Sequence, residues 1–229
     1  DTTIIGEVYC SVPGQGDTFE VAVSFQAPSE PGTYMIWRFN DLQYGMDDAK
    51  SSFAAKHTQA DPERYPGCFT AWLLVGADTS AEATQVDAPA EPSSTPVPAW
   101  ARADGFDGEH CALVREYFKK HAQETPDWLE EDEAVWKKFE EARAYDEERR
   151  KNVDNYAHHV SLEKEGKAAG TIRAKAGEQV QLQAKGWIQN KDGDTSIHQL
   201  LLALDTTIIG EVYCSVPGQG DTFEVAVSF

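Results

Sequence analysis

Residues 17–25, DTFEVAVSF, alternate cleanly. Phe19, Val21, Val23 and Phe25 share one face, with Glu20, Ala22 and Ser24 on the other, and this period of two predicts a half-buried strand. The stretch before it, DTTIIGEVYCSV, is rich in β-branched and aromatic residues, and PGQGD between them is a turn signal. QAPSEPG is the next turn and TYMIWRF the next strand. Residues 47–67 are polar and irregular, and CFTAWLLV (Cys68–Val75) is apolar on both faces, which predicts a central strand. Residues 1–75 therefore read as β-structure.

Residues 76–99 hold Ala, Pro, Ser and Thr with no large aromatic side chain and predict a partly extended linker. The period then changes. Gly108–Gln123 places Leu113, Val114, Tyr117 and Phe118 on one helical stripe. A second helix is predicted from Thr125 as cap and Pro126 at its first position. Its acids, Asp127, Glu130 and Glu131, lie at the positive end, and Arg149, Arg150 and Lys151 at the negative end. Trp128, Val135, Phe139 and Ala142 make its apolar stripe, with Trp136 and Tyr145 beside it, and predict packing of a helical hairpin (100–155) on the β-structure. From residue 156 strand patterns return and run to the end of the chain.

The end is a copy of the beginning. Asp205–Phe229 repeats Asp1–Phe25 without one substitution, at an offset of 204 residues. A period of this kind predicts a tandem array, and Asp1 in place of an initiator Met fits an expected start inside something longer. A β-sandwich needs about seven strands. The strands from 156 onward stop at VAVSF, and what should follow stands at 26–75. The expectation is a sandwich cut in mid-domain, with 1–75 the second half of one and 156–229 the first half of the next. The two copies should then adopt the same strands, each in a different sandwich. The strand residues Phe19, Val21, Val23 and Phe25, their copies Phe223, Val225, Val227 and Phe229, and Trp37, Trp72 and Trp187 are the predicted assembly seam.

Read across the repeat, KGWIQNKDG with Trp187, the alternating FEVAVSF strand, and APSEPGTYMIWRF with Pro28, Pro31, Gly32, Tyr34, Trp37 and Arg38 resemble the four-tryptophan Ig-like domain of selective-autophagy receptors and scattered bacterial proteins. The match covers about 70 residues of the period; a tryptophan expected after NKDG is replaced by DTSIHQ, and residues 47–67 are an insertion. The resemblance implies an α+β chain: an Ig-like antiparallel β-sandwich with the helical hairpin appended. It implies a scaffold or peptide-binding surface rather than an enzyme. It also implies a bridge tying the sheets, with Cys10–Cys68 the pair in the same half-module.

Composition narrows the classes. The chain carries 39 acids against 20 bases, a net charge of −19, which argues against a nucleic-acid partner. No apolar run reaches the ~20 residues of a membrane span. The cysteines are Cys10, Cys68, Cys111 and Cys214, three per period and none in a CxxC pair. By themselves they fit one bridge plus a thiol, or three buried thiols. The Ser/Thr/Pro linker weakly favours an extracellular or cell-surface setting.

Candidate chemistry reduces to decoys. Asn190, Asp192 and Asp194 have calcium-loop spacing, but Thr195 and Leu201 stand where Gly and Glu are needed. His158 and His159 are neighbours on a strand, point to opposite faces and read as an exposed pair rather than metal ligands. PGQG lacks a lysine and a following helix. No catalytic residue, cofactor or metal site is expected. The reading is a structural repeat whose partners are other copies of itself, forming a filament, appendage or giant scaffold. Two alternatives stand beside it: an engineered circular permutant with a duplicated segment, and a peptide- or glycan-binding Ig-like module.

Overall fold

The computed structural model of the chain describes residues 8–10, 17–39, 65–76, 95–122, 124–151, 157–189, 197–205 and 207–215. The strands are β1 (Val8–Cys10), β2 (Asp17–Gln26), β3 (Gly32–Phe39), β4 (Phe69–Gly76), β5 (Ala157–Lys164), β6 (Lys167–Ala168), β7 (Thr171–Lys175), β8 (Gln179–Gln189), β9 (Ile197–Leu204) and β10 (Thr207–Ser215). The helices are α1 (Tyr65–Cys68), α2 (Ala99–Ala103), α3 (His110–His121) and α4 (Asp132–Lys151), with a 3-10 turn at Asp127–Leu129.

The strands form two five-stranded sheets, β1-β2-β8-β5-β6 and β10-β9-β3-β4-β7. Every pairing is antiparallel except β4 with β7. Their facing sides bury Val23, Phe25, Val180, Leu182 and Ala184 from one sheet against Ile36, Leu73, Ile172, Leu202 and Leu204 from the other. The alternation read in β2 is what buries Val23 and Phe25. β4 is internal, between β3 and β7, as its two apolar faces require. Ala71, Leu73 and Val75 enter the sandwich core, while Phe69 and Trp72 face the helices. A register shift opposite Ile36 and Trp37 leaves Thr70 as the extra residue, which turns Phe69 toward the helical side.

The helices make a third layer on the outer face of the second sheet. Met35, Trp37, Phe69, Trp72 and Ala203 pack against Leu113, Val114, Tyr117, Phe118, Trp136 and Phe139. The α3 stripe falls where its period predicts. The second helix starts later than the sequence suggests. Pro126 is extended (φ −72°, ψ 148°) and opens the 3-10 turn that buries Leu129, and α4 begins at Asp132. Arg115 fixes this corner from α3, donating to the Leu129 carbonyl at 2.6 Å and pairing with Asp132. Asp132 is thus held by an arginine, while Glu130, Glu131 and Glu133 are exposed. The predicted linker opens on Gly76, which is the last residue of β4 and pairs with Lys175; residues 77–94 lie outside the described residues, and its last residue, Ala99, is already helical in α2.

The helical layer and the sandwich touch closely at one loop. Gly105 has φ +80°, and a Cβ there would overlap the carbonyl of Ala168. Across the contact, a Cβ on Gly170 would come within 2.6 Å of the Phe106 ring. Both positions need the missing side chain.

Candidate functional site

The two ends of the described chain meet in the sandwich. β2 lies along β8 from Asp17↔Ile188 to Gln26↔Gln179. β3 pairs with β9 from Ile36↔Leu204 to Phe39↔Leu201, and β4 runs parallel to β7 from Trp72↔Thr171 to Gly76↔Lys175. Residues 17–76 therefore share both sheets with residues 157–215 of the same chain.

The two identical segments are divided between the sheets. The N-terminal copy supplies β1 and β2 to the first, and the C-terminal copy supplies β10 to the edge of the second. Val8–Cys10 pairs with Val21, Glu20 and Phe19 of β2. Its repeat, Val212–Cys214, pairs with Leu200, Gln199 and His198 of β9. The expectation that both copies take the same strands in separate sandwiches is corrected on this point. One sandwich offers one place beside β8 and one beside β9, and a different copy takes each.

Asp205, the first residue of the second copy, ties this seam together. It sits between β9 and β10 with φ +48°, a conformation that Asp tolerates better than most residues. Its Oδ1 accepts from the Met35 backbone N–H at 2.9 Å and from the Tyr117 hydroxyl at 2.7 Å. Its carbonyl accepts from Trp37 Nε1–H at 2.6 Å, and its N–H donates to the Met35 carbonyl at 2.9 Å. One residue thus joins β3 from the early part of the chain, α3 from the helical layer and the start of the repeat. Sequence reasoning missed it; the available signal was an acid closing the apolar run QLLLAL at the repeat boundary.

Of the predicted seam residues, Val23 and Phe25 lie in the sandwich core. Phe19 and Val21 keep their backbone register against Gly186 and Ala184, with side chains outside the described set. Trp37 is opposite Ala203 at the β3–β9 join, with its ring on the helical side. Trp72 faces α3 and donates to His110 Nδ1 at 3.0 Å. Trp187 of β8 lies under the Arg150 guanidinium, 4.6 Å from it. Phe223, Val225, Val227 and Phe229 lie outside the described residues, as do Asn190, Asp192 and Asp194.

The Cys10–Cys68 bridge is not formed: Cys68 keeps its thiol. Cys10 belongs to the edge strand of the first sheet, while Cys68 packs against the helix-side cluster of the second, so the sandwich separates them. Cys111 is also a buried thiol. Burial pushes it up to about 12, which makes it a poor nucleophile.

Two histidines lie within the packed structure. His110 is fully buried, stacked on Trp136 and edged by Phe69, Phe106 and Phe139. Burial lowers it to about 3, so it is neutral, accepting from Trp72 on Nδ1 and carrying its proton on Nε2, which has no partner. His159 is half-buried beside Trp187, not exposed as the sequence suggested, and is lowered to about 3 by burial and then by Arg38, Arg143 and Arg150. Among the described residues, no group of three or more His, Cys, Asp or Glu is placed to hold a metal ion, and no helix is long and apolar enough to cross a membrane. What this seam offers is strand pairing and apolar burial. Compared with known proteins, the chain matches no family model, no curated protein and no solved structure.

Proposed function

We propose that the chain is a structural repeat module that assembles into a filament, appendage or giant scaffold by completing Ig-like sandwiches between successive copies. The observation that carries this reading is the division of the two identical segments between the two sheets of one sandwich. A sheet edge that pairs with a strand of one copy in this chain can pair with the same strand of the next repeat.

Strand order supports the Ig-like part. Taken cyclically from β5, the first sheet reads β5, β8, β2, β1 and the second β10, β9, β3, β4. These are the A, B, E, D and C′, C, F, G places of an immunoglobulin-type sandwich. Tyr34, near the start of β3, donates its hydroxyl to the Glu30 carbonyl at 2.7 Å, in the manner of a tyrosine corner on strand F.

Closure within one chain also favours a second reading, a circularly permuted single module. A disulfide trap separates the two. Ser24 and Gln181 are cross-strand partners on the outer face of the β2–β8 pair, at a Cα separation of about 5 Å for such partners. In a chain of two successive periods, Ser24→Cys in the second and Gln181→Cys in the first should form a bond under the array reading. If the bond forms only when both cysteines lie in the same period, the permuted single module stands and the array is lost.

A further inference from the structure

Where the helices lean over β5, a cavity of about 30 Å³ remains. Arg38 and Thr70 border it from the second sheet, Trp100 and Asp104 from α2 and the turn after it, Arg143 from α4 and His159 from β5. Two buried donors here have no partner, Thr70 Oγ1 and Trp100 Nε1, and Thr70 is 7 % exposed. Leaving such a group unsatisfied is costly, and two in one crevice call for an acceptor.

Guanidiniums stand beside these donors. Arg38 is 4 % exposed, donating to the Phe69 carbonyl at 3.1 Å and to Asp146 at 2.8 Å. Arg143 pairs with Asp104 and lies over the Trp100 ring at 4.8 Å. Arg150 also bears on His159. Arg38 and Arg143 are thus each matched by one carboxylate, so the crevice is balanced in formal charge and sets two guanidiniums beside the two open donors. Phe69, Phe106 and Phe139 form the apolar wall, which strengthens each polar contact.

We propose that this crevice binds a single carboxylate group, whose oxygens accept from Trp100 Nε1–H and Thr70 Oγ1–H in the field of Arg38 and Arg143. The volume suits one functional group and is far below that of a pocket for a drug-sized ligand. A dianion such as phosphate would face Asp104 and Asp146 with twice the charge of a carboxylate. The carboxylate has two possible sources, a free small acid or the acidic side chain of another chain, and the chemistry is the same for both.

The Trp100 indole N–H signal in 1H–15N spectra of the full chain tests this. Sodium formate is titrated against sodium chloride at equal ionic strength, and a blocked peptide with one glutamate forms a second arm. A saturable Trp100 shift with formate, absent with chloride, supports the proposal. Tighter binding of the peptide assigns the carboxylate to a partner chain, and binding of formate alone assigns it to a free acid. Thr70→Val, which keeps side-chain shape, should weaken binding about ten-fold, with the other indole signals unmoved as the folding control. No saturable shift with either ligand, an equal shift with chloride, or unchanged affinity in Thr70→Val would overturn the proposal, leaving water as the occupant.

Discussion

Asp205 is where one side chain does most for the seam. Asp205→Ala removes the acceptor for the Met35 N–H and the Tyr117 hydroxyl and places a residue that prefers negative φ at +48°. Because the site is only part-buried, a loss of about 2–3 kcal/mol is expected in denaturant unfolding, and Asp205→Asn, which keeps an acceptor and tolerates the backbone, should lose less. The buried histidines set the acid limb. His110 and His159 are held near 3 in the fold, against 6.5 for the ordinary group. The unfolded chain therefore binds the extra protons. The stability from keeping the rings neutral is complete above about pH 6.5 and is lost as pH falls toward about 3, by up to about 1.4 kcal/mol per pH unit for each ring. Asp104 and Asp146, both raised chiefly by burial, act the other way, because the fold keeps their protons as pH falls. His110→Phe should lower stability at neutral pH, since Trp72 Nε1 loses its acceptor, yet flatten the slope between about pH 6 and pH 4 by nearly one proton. Urea midpoints across that range check it; an unchanged slope would place the acid sensitivity elsewhere. Neither role was legible beforehand. The sequence shows His110 as a polar residue opening a helix, and only the fold closes aromatic rings around it.

At the scale of elements, patterns that depend on near neighbours were readable. Alternation marked β2, the two apolar faces of β4 marked an internal strand, and the stripe Leu113, Val114, Tyr117, Phe118 marked α3. Features set by distant partners were not. The 3-10 turn at Asp127–Leu129 exists because Arg115 holds its carbonyl and Leu129 is buried, and a sequence window around Thr125 and Pro126 contains no hint of Arg115. The bridge to Cys68 failed for the same reason: that cysteine ends α1 and packs on the helix-side cluster. The loop joining helices to sandwich rests on Gly105. Gly105→Ala forces a side chain into the left-handed region and against the Ala168 backbone. A loss of about 2–4 kcal/mol is expected, read as a lower thermal midpoint. A midpoint equal to that of the unsubstituted chain would mean that this contact does not hold the layers together.

For the whole molecule, the repeat announced that the chain's ends belong together, and the strand register states how: residues 17–76 and 157–215 are interlocking parts of two sheets. What the repeat alone did not reveal is that both copies serve one sandwich, because identical sequences carry no mark of which sheet each will join. The central claim is that neither part is a domain without the other. A protease site placed within residues 77–94 of the full chain tests it most directly, since the cut falls between β4 and α2 and breaks no described strand or helix. After cleavage the two pieces should elute together as one particle, keep the intact chain's circular dichroism, and unfold in one transition whose midpoint now rises with protein concentration. Separation into two pieces that each stay folded would contradict the account.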